Sequence, residues 1–268
     1  MHKYTTLRPD GFAKYRKRQK HTANTLFKSL PTSRQRALRR NLIFIGTTLG
    51  SALLLSLLSR AFAAGGPYVV DDGALNAPGE CNVDAWYTRN RHGSSTHHTT
   101  LSSACTSKTL PTVQWGAALD DDRAETQVSP QFKASLWSWQ DAGIEIAVAG
   151  AAHVAVNRRH AFEGADLNLP LTWQPLDALR LNLNAGWAHA YDDGEQSHRL
   201  TWGTGLEYNA ADQLTLVAER YGQQRGDQAW QAGPRLHVGK RLDVDLLIGR
   251  SLVGERNQWM TTGATLRF

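Results

Sequence analysis

Residues 143–156 read GIEIAVAGAAHVAV, and their alternation decides the fold. Ile144, Ile146, Val148, Val154 and Val156 fall on one face with Gly150 and Ala152, while Glu145, His153 and four alanines fall on the other. Apolar residues at every second position describe a strand with one apolar and one polar face. The pattern recurs. Leu179, Leu181, Leu183, Ala185 and Trp187 oppose Arg180, Asn182, Asn184, Gly186 and Ala188. Leu200, Trp202, Leu206 and Tyr208 oppose Thr201, Gly203, Gly205 and Glu207, and Leu242, Val244, Leu246 and Ile248 oppose Asp243, Asp245 and Gly249. From about residue 81 to the end no helical period interrupts the series.

A soluble sandwich alternates too, so three further features separate the possibilities. The polar faces are rich in Gly, Ala, Asn, Thr and isolated charges, which suits a lumen. Trp173, Trp187, Tyr191, Trp202, Tyr208, Trp230 and Trp259 stand near strand ends, as in the aromatic girdles of membrane barrels. The chain also stops inside an alternating strand, with Leu266 and Phe268 on its apolar face, a pattern resembling the C-terminal signal read by barrel-insertion machinery. The expected fold is an all-β, antiparallel transmembrane barrel. Counting back from Phe268 gives strands near 258–268, 242–252, 228–238, 213–222, 199–209, 179–191, 165–174, 143–156, 125–138 and 110–119. A further hairpin over 81–105 brings the total to about twelve, with ten as the alternative. The short turns at 139–142, 175–178, 209–212 and 239–241 would face the periplasm, and the more charged breaks at 157–164, 192–198, 222–227 and 253–257 would face outward.

Charge and the N-terminal residues set the compartment. The net charge of +6 is misleading, because residues 1–41 carry five Lys and seven Arg against Asp10, a net of +11. From Ala64 onward 17 basic and 23 acidic residues leave −6, which removes the basic footprint of a nucleic-acid binder. Residues 42–58, LIFIGTTLGSALLLSLL, follow Arg39-Arg40 and precede Ala61-Phe62-Ala63. Basic, apolar and small-residue parts in that order make residues 1–63 a leader with a secretory signal peptide, cleaved so that Ala64 becomes the N-terminus. The basic part is long, either an extended leader or a start placed too early. The alternative is an uncleaved helix anchoring a periplasmic β-domain. Export places the barrel, residues 81–268, in the outer membrane of a Gram-negative bacterium, among its lipids, with residues 64–80 a periplasmic N-terminal segment able to act as a partial plug. A hairpin centred on Gly93 sets Cys81 opposite Cys105, so a disulfide is expected to close that hairpin in an oxidising compartment.

The sequence resembles the family of outer-membrane transporters named "MetA-pathway of phenol degradation". Gly65-Gly66-Pro67-Tyr68-Val69-Val70-Asp71-Asp72 with Pro78-Gly79-Glu80, residues 165–174 and 216–222, and the closing hairpin at 246–268 carry the likeness. The long leader and the His/Ser/Thr-rich stretch at 92–107 depart from it. The resemblance implies a barrel that passes small, apolar or aromatic solutes, and it assigns no functional residues here.

Chemistry is sparse. Glu145 and His153 share a face but lie about 26 Å apart along a strand, too far to act as a pair. Arg235 and His237 face Asp243 and Asp245 across a turn, the composition of a salt-bridge network. No serine and histidine stand out as nucleophile and base. His92, His97 and His98 read as a solvated loop tip, since adjacent strand histidines point to opposite faces. Asp120-Asp121-Asp122 reads as a charged loop without the ligand spacing of a calcium site. No catalytic, cofactor or metal residue is therefore assigned. Glu145, His153, Arg180, Glu207, Glu219, Arg235, His237, Asp243, Asp245 and Arg267 are expected to line the lumen. The function expected is a porin-like channel or transporter for a small-molecule solute. A closed structural or binding barrel, the anchored periplasmic domain and an outer-membrane enzyme stand as alternatives.

Overall fold

The computed structural model describes residues 67–91, 97–122, 125–156, 161–192, 195–253 and 257–268. The leader and its cleavage residues Ala61, Ala63 and Ala64, together with His92 and Gly93, lie outside the described residues. Among the described residues twelve strands form a closed antiparallel barrel, each paired with its neighbour in sequence and the last returning to the first. They are β1 (Cys81–Asn90), β2 (His97–Thr106), β3 (Val113–Asp121), β4 (Thr126–Trp139), β5 (Ile144–Ala155) and β6 (Phe162–Leu176). The circuit continues through β7 (Leu179–Asp192), β8 (Glu195–Ala211), β9 (Leu214–Gln223), β10 (Gln228–Val238), β11 (Leu242–Ser251) and β12 (Gln258–Arg267). At the seam Cys81 and Phe268 exchange both backbone hydrogen bonds, each 2.9 Å. A closed ring leaves no edge, which satisfies backbone polar groups where no water can.

Inversion of the usual protein pattern identifies the solvent. Leu101, Leu119, Leu183, Leu216, Leu246 and Ile248 point outward and are exposed, whereas Asp84, Lys133, Arg180, Arg235 and Asp245 point inward and are buried. Such an outer surface belongs in lipid, so the barrel is of the outer-membrane type, and the soluble sandwich and the anchored periplasmic domain are both excluded. Strands β6 to β8 run 15, 14 and 17 residues. The break expected at 192–198 is mostly strand, since Asp192 pairs with Glu195 at the tip of the β7–β8 hairpin. Polar residues on both faces of 195–199 hid that extension from the sequence.

The proximal end, where residues 81 and 268 lie, has tight turns at 177–178, 212–213 and 239–241. A 3-10 turn at Gln140–Ala142 ends on Gly143, whose φ of 63° disfavours a side chain and where a Cβ would stand 2.4 Å from the Gln174 carbonyl oxygen. One bulge near Leu136 turns both Leu136 and Trp137 outward. Trp137 joins Trp139, Trp173 and Tyr208 in a proximal aromatic belt, while Trp187, Trp202 and Trp230 stand on the outer face nearer the distal end. Trp259 is an exception to the expected girdle. It lies on the inward face of β12, where its indole N–H approaches the Gln231 side-chain oxygen at 3.4 Å, and Gly249 on β11 leaves room for its ring.

Candidate functional site: the barrel lumen

The lumen is built unevenly because the inward positions of the strands differ in size. On β3 and β5 these include Gly116, Ala118, Ala147, Ala149, Ala151 and Ala155, which leave space between Gln114, Asp120, Glu145 and His153. On β9 to β12 they include Glu219, Gln231, Arg235, Asp243, Asp245 and Leu247, which fill it. Through this interior runs the segment 67–80, which precedes β1.

From Pro67 to Asn76 the segment has no strand partner, and side chains of the wall satisfy its backbone; beyond that, Gly79 donates to the Thr106 carbonyl on β2 at 2.9 Å and Thr106 donates to the Glu80 carbonyl at 3.0 Å. The carboxylate of Glu219 accepts from the N–H groups of Val69 and Val70 at 3.2 and 3.1 Å, and Gln231 donates to the Pro67 carbonyl at 3.1 Å. Asn184 accepts from the Asp71 N–H at 2.8 Å and donates back to its carbonyl at 2.6 Å. Thr172 accepts from the Gly73 N–H at 2.8 Å and donates its own O–H to the Asn182 side-chain oxygen, and Asn182 donates to Glu207. Near the proximal end Gln114 accepts from the Asn76 N–H at 2.9 Å, while the Asn76 amide reaches Asn82 and the Ala104 carbonyl. Val70 packs against the bare backbone of Gly203 and Gly205 on β8, Pro67 against Gly263 on β12, and Gly73 against the Glu145 carbonyl on β5. Every strand of the barrel thus meets these few residues.

Charge secures the same segment. Asp72 is fully buried and receives Lys133 at 2.8 Å and Arg180 at 3.5 Å; Lys133 also holds Asp71 at 2.8 Å, and Arg180 lies 3.6 Å from Glu145. Tyr68 donates to Asp245 at 2.6 Å while the Arg235 guanidinium lies 4.5 Å from its ring centre and 2.9 Å from the same carboxylate. Burial pushes the Tyr68 phenol well above its ordinary range, which keeps that donor protonated. At the proximal mouth Asp243 receives His237 at 2.7 Å and Arg267 at 2.8 Å. The ten charged positions expected in the lumen lie on inward faces, but sequence reasoning missed Asp71, Asp72 and Lys133, whose pairing spans more than sixty residues and follows no local pattern.

Two further corrections concern the distal half. His98 and Asp120 are strand residues rather than loop residues, and they meet inside the barrel at 3.2 Å, with Thr100 donating to Asp120. His97 points outward beside Tyr87. His153, paired with nothing in the sequence reading, forms a chain: Ser129 Oγ lies 2.9 Å from His153 Nδ1, and His153 Nε2 lies 2.7 Å from Asp166. These are the residue types of nucleophile, base and orienting acid. Ser129 is only 4% exposed, however, and borders neither of the cavities described next, whereas Asp166 borders both. What a solute meets is the acid of the trio, not its serine. Among the described residues no group of three or more His, Cys, Asp or Glu is placed to hold a metal ion.

Two spaces remain beside the segment. One, of about 290 Å³, lies against β1 to β6 and is bordered by Trp86, Asp84, Gln131, Lys133 and Asp166. The other, of about 440 Å³, lies toward the distal end between β6 and β11 and is bordered by Asn184, Thr201, Tyr221, Gln228 and Asp166. On the outer face of the proximal rim, Cys81 and Cys105 pair directly with Cα atoms 4.1 Å apart and are disulfide-bonded, closing the first hairpin.

Among solved structures the barrel is similar to the KdgM porin, with a TM-score of 0.57 and 10% identity over 70% of this chain and 99% of that one. It is also similar to the KdgM porin in complex with disordered oligogalacturonate, with a TM-score of 0.56 and 9% identity over 70% and 99% of the two chains. The COG4313 outer membrane channel from Pseudomonas putida F1 matches with a TM-score of 0.56 and 11% identity over 76% of this chain and all of that one. At such identities the likeness is one of fold. No curated protein matches the sequence. A family model does, over residues 52–268, and the chain belongs to the family described as "Uncharacterised conserved protein UCP029691".

Proposed function

We propose that this protein is an outer-membrane channel for small solutes, narrowed by residues 67–80 acting as a partial plug from the periplasmic, proximal end. The observation that carries this reading is how the segment is held. From Pro67 to Asn76 its backbone is bonded to wall side chains rather than to a ladder, so this stretch can leave without unpairing any strand. The spaces of about 290 and 440 Å³ beside it suit solutes of modest size. Similarity to porins and channels supports the same reading. So does the likeness to the MetA-pathway family, which points to small apolar or aromatic solutes; Trp86 and Tyr68 are aromatic residues bordering the first space. The route begins with export by residues 1–63 and ends with insertion recognised through the outward Leu266 and Phe268. A closed structural barrel is the second reading, favoured by the buried ion pairs around Asp72.

Planar-bilayer recording of the protein purified from membranes tests this. The unmodified barrel is expected to give small discrete steps, and deletion of residues 67–76 larger or longer ones. Equal conductance in the two forms would remove the plug. Silence in both, with heat-modifiable gel mobility proving a folded barrel, would leave the closed reading.

A further inference from the structure

Lumen charge follows from a census of inward side chains. Four basic groups, Lys133, Arg180, Arg235 and Arg267, are engaged by five carboxylates: Asp71, Asp72, Glu145, Asp243 and Asp245. Five more carboxylates, Asp84, Asp120, Asp166, Glu207 and Glu219, also face inward. Among the described residues their close partners are neutral donors or histidine, not lysine or arginine. Arg199, near the distal mouth and bonded to Gln223, adds one positive charge. Among the described residues, these ten acids against five bases give a formal −5 with histidines neutral. The excess is not spread evenly. Asp84 and Asp166 border the first space, and Asp166 also the second, while the basic Lys133 at the first is already committed to two carboxylates.

The outer face has the opposite balance, since Arg89, Arg220 and Arg250 stand there against Asp121. Excess negative charge is therefore concentrated along the solute path. A narrow path walled by a low-dielectric medium focuses such a field and raises the local concentration of counter-ions.

We infer that the channel selects by charge: it passes cations and neutral small molecules and turns away anions. This rests on the channel reading above. A polyanion such as oligogalacturonate, which accompanies one of the similar porins, would be disfavoured in this lumen.

The test is the reversal potential of the membrane-purified protein in a gradient of potassium chloride. Potassium is expected to permeate several-fold better than chloride. The preference should shrink between about 0.1 M and about 1 M salt, as the screening length falls from about 10 Å to about 3 Å. Asp84→Asn and Asp166→Asn, each checked for heat-modifiable mobility, should each lower the preference. If either fails to fold, the salt dependence of the unmodified protein still decides. Open channels with equal permeability or a chloride preference overturn the inference while leaving the channel intact. Silence with residues 67–76 present or deleted overturns the channel reading, and this inference with it.

Discussion

Lys133 contributes one ammonium group to two carboxylates on a segment outside the barrel wall, and Asp72 has no access to water. Removing a partner from a buried pair costs more than the pair itself contributes, because the remaining charge stays desolvated. Lys133→Met is expected to destabilise the seated segment by about 3–5 kcal/mol. Arg180, 3.5 Å from Asp72, offsets part of that loss. Limited proteolysis near residues 67–80 would reveal the release, and unchanged resistance would contradict it. Gly203 offers a complementary perturbation from the wall, since a Cβ there would stand 2.9 Å from Val70. Gly203→Leu should expel the segment without altering any charge and reproduce the larger conductance of the deletion. These interactions were closed to sequence reading. Alternation places Lys133 and Gly203 on a polar face, but nothing in residues 67–80 repeats with a period that reveals its course.

Strands were legible where they cross lipid, because there one face must be apolar and the period of two is enforced. They were less legible where solvent meets both faces, as in residues 195–199 of β8, or where short polar residues dominate, as in β2 and at the end of β3. The Cys81–Cys105 pair was legible for a different reason: both residues lie twelve positions from Gly93, and the observed register sets them directly opposite. Cross-linking the ends of this hairpin restricts the unfolded chain. Replacing both cysteines with serine should therefore lower stability by about 3 kcal/mol, seen as a lower temperature for loss of the compact gel form. Conductance should not change, because both residues face outward, away from the solute path. A change in conductance would mean that the hairpin positions the lumen wall. The trio of Ser129, His153 and Asp166 was illegible at this scale, since it depends on three strands meeting, beside the irregular β5–β6 pairing at His153 and Val154.

At the scale of the molecule, eleven of the twelve strand pairings join consecutive strands, and β1 with β12 is the exception. Each hairpin can form locally, whereas the seam must wait for the whole chain. Residues 67–80 come before all of this in sequence yet rest against every strand. A segment in that position is seated most readily while the sheet is still curling, before Cys81 and Phe268 meet. It then serves as a mandrel, a form around which the sheet takes its curvature. Its loss would be felt during assembly as well as during transport: without it the compact form should accumulate more slowly in lipid, even where the finished barrel is equally stable. A time course showing equal rates would make the segment a late arrival, threaded into a ring already complete.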